Sequence, residues 1–336
     1  MSNKKRKILI LAHSFPQHEN DYRGRFILDY AENHPETEFH IAAPFRGKSF
    51  ETKTGSAFVH YFNWDHDYLA GRKVYQPSTL FVTLQLLSGF VSNAKKLLKK
   101  YDFEKIFACW AVPAGFSAYF LKKFYGINYD VWLLGTDVNK FINFPFVLPV
   151  TLKNADKIYS NSNRLSEIVT NKIPGLNIEI LPTHSSLPNP VTPENPLKID
   201  KNNVNVAFVG RLEEVKGFDF YLEIAEKVKN ERSDVAFFAF GDGSLKNYAA
   251  SANEKGLISW AGEISLPELS YYADFIDILC ITSRSESMPV VFWEFHKKSR
   301  ILSFPVGDIP LYSEPDNICK NIDEFVRKIS NFRKSF

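Results

Sequence analysis

The sequence of 336 residues has few of the residues that mark special protein classes. Its three cysteines, Cys109, Cys280 and Cys319, are too few and too far apart for a disulfide framework, and they fit a reducing compartment. Only 16 glycines and 18 prolines exclude collagen-like and low-complexity chains, and 45% hydrophobic residues exclude disorder. What remains is a globular protein, whose length predicts about two domains.

Long hydrophobic runs are missing as well. The longest apolar stretch, Leu80–Val91, is interrupted by Thr83, Gln85 and Ser88 and falls short of the roughly 20 residues of a membrane-spanning helix. The basic start Lys4–Lys7 is followed by a short apolar run, Ile8–Ala12, which is too short for the core of a signal peptide. We therefore predict a buried first strand and a cytoplasmic protein.

Charge is divided unevenly along the chain. Residues 1–190 carry 23 lysines and arginines against 16 aspartates and glutamates, whereas residues 191–336 carry 18 against 22. The net charge of +3 therefore hides a basic half of +7 and an acidic half of −4. The near-neutral whole argues against nucleic acid as a partner, and halves of opposite charge predict different partners.

Short apolar runs alternate with longer segments of helical period along the whole chain. This alternation is typical of βαβ units and predicts an α/β fold with two doubly wound, Rossmann-like domains. A stretch with four prolines, Leu187–Asn203, predicts a semi-rigid connector. The expected domains are residues 1–188 and 204–336, with a linker at 189–203.

The predicted elements follow from the same periodicity. Strands are expected at 7–13, 39–43, 105–110, 129–134, 157–161, 204–209, 235–240, 278–282 and 301–304. Helices are expected at 24–33, 81–100, 114–125, 164–170, 218–229, 245–254, 267–273, 289–298 and 322–330.

The segment I-L-C-I-T-S-R-S-E-S-M-P-V-V-F-W-E, residues 278–294, carries the strongest local signal. A buried strand leads into a polar loop that holds Glu286, and Pro289 favours the first position of a helix that carries Glu294. Free N–H groups at Val290 and Val291 suit an anion, and carboxylates accept sugar hydroxyls. The pattern predicts a ligand with phosphate and polyol parts, although a helix with one capping acid and one surface acid explains it as well.

A second signal is V-A-F-V-G-R-L-E-E-V-K-G, residues 206–217. A strand ends in Gly210, and Arg211 and Lys216 follow before the next helix. Two cations at the carboxyl end of a strand can clamp a diphosphate, although two solvated residues in a turn are the simpler interpretation of the pair alone. Gly241 and Gly243 form a similar turn after the next strand, a pattern that tight turns use widely.

Together these segments resemble the carboxyl-terminal domain of the retaining glycosyltransferases of family 4, glycosyl transferases group 1. Glu286 and Glu294 match that family's paired glutamates, and the order and spacing agree over about residues 204–310. The stretches W-A-G at 260–262 and Y-Y-A-D at 271–274 also resemble the family. The first half is similar more loosely, at residues 8–16, 23–26, 109–115, 134–138, 155–157 and 161–162.

The resemblance implies a GT-B fold, in which two Rossmann-like domains face each other across a cleft. It also implies sugar transfer from a nucleotide sugar with retention of configuration and with no metal or other cofactor, a UDP or GDP sugar being the expected donor. The implied catalytic residues are Glu286, which would hold donor-sugar hydroxyls, and Arg211 and Lys216, which would stabilise the leaving diphosphate. The implied donor-binding residues are Gly210, Arg211, Lys216, Gly241, Gly243, Glu286, Met288, Val290 and Glu294.

The basic first half is expected to bind the acceptor, a glycan or a lipid-diphosphate-linked sugar of surface polysaccharide, lipopolysaccharide or glycolipid biosynthesis. Its candidate residues are His13, Arg23, Gly24 and Asp137, although a cap for the turn after Gly135 explains Asp137 more simply. The helix beginning at Phe81 ends in four lysines at 95, 96, 99 and 100. They predict either peripheral contact with an anionic membrane or an ordinary solvated face.

Two other functions fit parts of the pattern. A catalytically silent partner subunit would explain Leu134, which stands where many relatives carry His, and the short segment after helix 322–330. A sugar-nucleotide epimerase on the same fold would require further acids and histidines around the sugar. The glutamate pair and the basic pair favour transfer.

Overall fold

The computed structural model describes residues 5–18, 21–66 and 76–334, so Lys4 of the basic start lies outside the described part. The described residues form two compact units. One lies within Met1–Glu19 and Arg23–Thr183, and the other lies within Asn20–Tyr22 and His184–Phe336. Each unit contains one sheet flanked by helices, which confirms the predicted α/β class.

The first unit is built on an eight-stranded sheet. Its strands are β1 (Arg6–Ala12), β2 (Thr37–Phe45), β3 (Phe50–Thr54), β4 (Ala57–Asn63), β5 (Lys105–Cys109), β6 (Tyr129–Leu133), β7 (Lys157–Ser160) and β8 (Ile178–Ile180). They follow the order β3-β4-β2-β1-β5-β6-β7-β8, and β3 pairs antiparallel with β4 while the other neighbours pair in parallel.

The described residues of this unit form six α-helices: α1 (Arg25–Glu32), α2 (Pro77–Lys100), α3 (Phe116–Tyr125), α4 (Thr136–Phe141), α5 (Val147–Lys153) and α6 (Asn163–Lys172). Helix α2 shows why the sequence folds this way. Val82, Leu86, Phe90, Ala94 and Leu97 recur every three or four residues, and all five are buried in the core beside β1 and β5. None of the helices in the described residues is long and apolar enough to cross a membrane.

The second unit has a five-stranded parallel sheet. Its strands are β9 (Val204–Val209), β10 (Val235–Phe240), β11 (Ser259–Trp260), β12 (Ile278–Ile281) and β13 (Arg300–Ser303), in the order β11-β10-β9-β12-β13. Its helices are α7 (Phe218–Glu231), α8 (Lys246–Glu254), α9 (Leu266–Ala273), α10 (Val290–Phe295), α11 (Ile309–Tyr312) and α12 (Ile322–Ser330). Strands of nearly continuous apolar residues are expected here, because helices cover both faces of such a sheet.

The strand order creates a switch point in each sheet. In the second unit, β9 pairs with β10 on one side and with β12 on the other. The chain runs outward in both directions from this junction, so the loops after β9 and β12 diverge and leave room for a ligand at the carboxyl ends. In the first unit, β1 occupies the equivalent place between β2 and β5.

The predicted connector at 189–203 stays a prediction, and the structure adds where this segment is attached. Residues 181–203 contain no helix or strand. Leu187 and Leu197 pack against the core of the second unit, the Val191 amide donates to Pro267 O, and Pro188 O accepts from the Ser270 hydroxyl. The prolines thus give an extended segment that the second unit holds.

Several predicted elements differ from the structure. The hairpin β3–β4, strand β8 and helices α4 and α5 were not expected, and the helix expected at 289–298 is short, Val290–Phe295. The Lys298 amide donates to Phe295 O, three residues back, so a turn tighter than an α-helical turn follows the helix. The expectation that Pro289 occupies the first helical position is wrong, since Pro289 is extended and precedes the helix.

Candidate active site

The carboxyl-end junction of the second sheet brings two predicted residues into contact. Lys216 follows β9 and Glu286 follows β12, and Lys216 Nζ donates to Glu286 Oε1 over 2.6 Å. The Ser283 hydroxyl donates to the same oxygen over 2.8 Å. Both charged side chains are partly buried, with 26% of Lys216 and 11% of Glu286 exposed. The ammonium and the carboxylate therefore lie together beside the junction, partly shielded from bulk water.

The loops that carry these residues are fastened to each other. The Thr282 hydroxyl donates to Gly217 O over 2.8 Å, and the Arg284 amide donates to Val215 O over 2.9 Å. Gly217 has a φ of +70°, and a Cβ at this position would lie 1.8 Å from Thr282 O. Only glycine allows the two backbones to approach so closely.

The glycines predicted to bind the donor shape the neighbouring loops. Gly210 follows β9, and a Cβ on Gly241 would lie 2.1 Å from Gly210 O. A Cβ on Gly243 would lie 2.6 Å from Leu212 O. The Leu212 amide donates to Asp242 O over 3.0 Å. The loops after β9 and β10 therefore support each other, and the glycines leave backbone, rather than side chains, at the junction.

Arg211 stands apart from the Lys216–Glu286 pair. Its guanidinium is half exposed and donates to Glu213 Oε1 over 2.7 Å. The two cations therefore bond different carboxylates in this arrangement, and the clamp that they were expected to form on a diphosphate stays a prediction. Arg211 would have to exchange Glu213 for a phosphate in order to join it.

The remaining predicted donor residues lie on or beside α10. Met288 is buried in the core of the second unit, and Val290 begins the helix. Glu294 lies one turn further along, partly buried and with a polar partner. Glu286 and Glu294 are thus held on a loop and on the helix that follows it.

One predicted acceptor residue, His13, lies at the switch point of the first sheet, where β1 stands between β2 and β5. His13 follows β1 and Trp110 follows β5, and their rings lie 4.3 Å apart. Burial, together with the nearby charge of Lys140, lowers the pKa of His13 to about 3, so its imidazole is neutral at physiological pH. Its Nδ1 is buried without a hydrogen-bond partner among the described residues. A neutral imidazole with an unpaired nitrogen can accept a hydrogen bond from a hydroxyl group that reaches this buried atom.

Asp137 joins two loops of the same unit. Its carboxylate accepts from the Ala111 amide over 2.6 Å and from the Leu134 amide over 3.3 Å. Burial raises the pKa of this carboxyl, and the backbone amides oppose the shift. This geometry fits the capping interpretation of Asp137.

The packing of the loop after β1 explains why residue 24 is a glycine. Gly24 has a φ of +70°, and a Cβ there would lie 2.2 Å from Ser14 O, so it lets the loop after β1 pack on the start of α1. Arg23 precedes it, partly buried and with a polar or ring contact.

Three residues at these junctions were not among the predicted site residues, although all three stand in stretches that the sequence analysis quoted. Ser283 and Arg284 stand inside the glutamate segment but carry no motif by themselves. Trp110 has a φ of 71°, which is strained for a tryptophan and is a recognised mark of functional loops. An aromatic residue directly after a strand of a doubly wound sheet was the available signal for Trp110.

Other surface features lie away from the predicted donor residues. An open groove of about 540 Å³ runs between α7 and α12. A second groove, of about 450 Å³, lies at the amino ends of β5 and β6, where Lys95, Lys99 and Tyr125 line it. Within residues 5–18, 21–66 and 76–334, no group of three histidines, cysteines or acids is placed to hold a metal ion.

Known proteins provide an independent comparison. A family model described as Glycosyl transferases group 1 matches residues 203–302, a range that contains Lys216, Glu286 and Glu294. A search of curated proteins finds no match. The solved structures, by contrast, include many similar folds.

Three of these solved structures illustrate the likeness. The sucrose-phosphate synthase of Thermosynechococcus elongatus aligns with a TM-score of 0.70 at 14% identity, covering 96% of this chain and 88% of that chain. The Anabaena protein Alr3699/HepE in complex with UDP-glucose aligns with a TM-score of 0.65 at 15% identity, covering 96% and 88%. The lipopolysaccharide outer core galactosyltransferase WaaB aligns with a TM-score of 0.61 at 15% identity, covering 96% and 89%.

These likenesses define the fold and the family that part of the chain resembles. The chain has the GT-B fold of glycosyltransferases, as predicted. The predicted resemblance to glycosyl transferases group 1 is confirmed by the match over residues 203–302.

Proposed function

We propose that the protein transfers a sugar from a nucleotide-sugar donor to a glycan or lipid-linked acceptor, with retention of anomeric configuration. The observation that carries the proposal is the contact between Lys216 and Glu286 at the junction of β9 and β12. This contact lies inside the segment that matches the glycosyltransferase family. The solved structure of Alr3699/HepE with UDP-glucose supports a UDP sugar as the first donor to test.

The chemistry follows from the charges at the junction. When the bond from the sugar to the diphosphate breaks, negative charge grows on the diphosphate, and the partly buried Lys216 ammonium stabilises it. Arg211 adds its guanidinium once it leaves Glu213. Because these cations neutralise the negative charge of the leaving diphosphate, the proposed reaction requires no metal ion.

Glu286 has a different task. Its Oε1 already accepts hydrogen bonds from Lys216 and Ser283, which fixes the orientation of the carboxylate. We assign Oε2 to hydroxyls of the donor sugar and Glu294 to the ribose. Both carboxylates then bind polyol groups, and the phosphates lie toward Lys216 and the amides at the start of α10.

The acceptor is assigned to the first unit. His13 offers a neutral imidazole nitrogen, and Lys140 adds positive charge beside it. These groups suit an acceptor with hydroxyls and an anionic part, such as a lipid-diphosphate-linked sugar of surface polysaccharide or lipopolysaccharide biosynthesis.

Peripheral contact with a membrane is part of this proposal. Helix α2 exposes Leu80, Phe81 and Leu84 near its start, each more than half exposed, and it ends in the four lysines. An apolar tip and a basic end on one helix are the two components of binding to an anionic membrane surface. We assign the cytoplasmic face of the membrane.

Nucleotide release from a panel of UDP, GDP and ADP sugars tests the proposal. We expect release with one donor, faster with a crude lipid acceptor, insensitive to EDTA and lost in Glu286→Gln. The control is Glu231→Gln, whose carboxylate bonds the Ser330 hydroxyl at the far end of α7. Nuclear magnetic resonance of the product decides the anomeric configuration.

The alternatives predict other results. A silent partner subunit binds the nucleotide but releases none from any sugar, with or without lipid extract. An epimerase converts the sugar nucleotide into an isomer without releasing the nucleotide. Either result would overturn transfer.

A further inference from the structure

Arg284 stands two residues before Glu286 and reaches across to the loop of Lys216. Its guanidinium donates to both carboxylate oxygens of Asp219, over 2.8 and 2.6 Å, and to Glu214 O. The same group lies 3.7 Å from the centre of the Phe220 ring. Four separate contacts hold one side chain, although it is more than a third exposed. An ordinary surface ion pair holds an arginine by its carboxylate partner alone, so Arg284 is held by more contacts than such a pair provides.

The contacts of Arg284 surround Lys216 in the sequence. Glu214 lies before it, and Asp219 and Phe220 lie after it in the first turn of α7. The hydrogen bonds of Arg284 lower the pKa of the Asp219 carboxyl, which keeps this partner ionised. The arginine therefore ties the Glu286 loop to both sides of the turn that presents Lys216.

We propose that Arg284 is a positioning residue, which sets the Lys216–Glu286 contact by clamping the loop after β12 onto the turn after β9. The proposal rests on the proposed function for its catalytic consequence, but the clamp is a property of the free protein. Without the guanidinium, Thr282 and the Arg284 amide still link the loops, so we expect the pair to loosen rather than the unit to unfold.

Lysine labelling measures the clamp without any activity. Amines of the folded protein react with acetic anhydride, and the reaction rate of Lys216 is read by mass spectrometry after digestion. We expect Arg284→Ala and Asp219→Asn to raise the Lys216 rate about two- to fivefold, the range that the loss of one ion pair allows. Glu286→Gln sets the upper limit, and Arg284→Lys restores part of the effect.

The matched control is Arg300→Ala. Arg300 also pairs with a carboxylate, Asp316, and bonds Asn317 Oδ1 over 2.7 Å, but it lies at the start of β13 rather than at the carboxyl-end loops. We expect this variant to leave the Lys216 rate unchanged. An equal Lys216 rate in Arg284→Ala and the wild type, or an equal rise in Arg300→Ala, would overturn the proposal.

Kinetics then connect the clamp to transfer. Displacement of a catalytic group by about 1 Å costs on the order of 10²-fold in rate, so we expect Arg284→Ala to lower kcat by up to that factor. In a Lys216→Met background the same substitution should cost less than about threefold, because the clamp acts through Lys216. If Arg284→Ala lowered kcat by the same factor in the wild type and in the Lys216→Met background, that result would contradict this role. If the wild type releases no nucleotide, the proposed function fails, and the labelling result still decides the clamp.

Discussion

Lys216 and Glu286 are separated by 70 positions in the sequence, and their side chains meet at 2.6 Å. The meeting follows from topology, because β9 and β12 are neighbours in the sheet and each residue stands in the loop that follows its strand. The contact is thus a product of the fold, and both loops must keep their positions for it to form.

Lys216→Met tests the cation directly. The substitution keeps much of the length of the side chain but removes the charge that stabilises the leaving diphosphate. We expect kcat to fall by about 10²- to 10³-fold, the usual cost of removing one such stabilising group, while the circular dichroism spectrum stays unchanged. Initial rates of nucleotide release measure the effect. A loss below about threefold would show that Lys216 does not face the reacting centre.

Gly217→Ala tests the close approach of the two loops. An added methyl group meets Thr282 O, and the positive φ adds strain, so we expect a loss in the free energy of unfolding well above that of a matched glycine. Gly256→Ala is the match, because Gly256 has a φ of +68° but open space around its Cβ. The control substitution should lower the free energy of unfolding by about 1–2 kcal/mol, because of backbone strain alone. Urea unfolding that gives equal losses for both variants would contradict the predicted clash.

The first unit should lose stability in acid. Burial lowers the pKa of His13, His40 and His60, of which His40 and His60 bond each other over 2.9 Å. The folded state therefore binds fewer protons than the unfolded chain below about pH 6.5, and stability falls as the pH drops from there toward the lowered values. The lowered pKa values of Glu38 and Glu51 extend the loss below about pH 4.5.

Hydrogen exchange at pH 7, 6 and 5 measures this loss by segment. We expect protection of β2 and β4 to fall before that of β9 and β10. His18→Asn, at an exposed position, is the control and should not alter the profile. Protection that stays constant in the first unit from pH 7 to 5 would rule out this account.

Vesicle binding tests the face of α2. We expect the protein to sediment with vesicles that contain anionic lipid at low salt and to remain in solution with neutral vesicles. Replacing Lys96 and Lys99 by glutamine should weaken binding by about 30-fold, at roughly 1 kcal/mol per lysine. Leu84→Ser should weaken it as well, and Leu311→Ser should not, although Leu311 of the second unit is more exposed than Leu84. Sedimentation that is the same for every variant would leave α2 an ordinary solvated helix face.

The sequence alone predicted the second unit closely. Periodicity placed β9 and β10 at their observed bounds, because both strands are buried and almost continuously apolar. The same reasoning placed Lys216 and Glu286 at strand ends, where a doubly wound sheet gathers ligand groups. Their contact distance was beyond prediction, since it depends on how the two loops pack.

Features that depend on tertiary packing were missed for physical reasons. Strand β3 is exposed and polar, so its sequence lacks the apolar alternation that indicates a strand. The clamp by Arg284 joins positions 65 residues apart, and no local spacing reveals such a pair. Helix α10 gives way to a tighter turn in which the Lys298 amide donates to Phe295 O, and helix propensity does not encode that change.

A binding measurement tests the central claim most directly. Purified protein is heated with UDP, GDP or ADP, and the unfolding temperature is compared with that of Lys216→Met and Glu231→Gln. We predict that one nucleotide raises the unfolding temperature of the wild type and of Glu231→Gln, and that Lys216→Met loses most of the shift. The absence of a shift with all three nucleotides, or an undiminished shift in Lys216→Met, would contradict a nucleotide-sugar site at the Lys216–Glu286 pair.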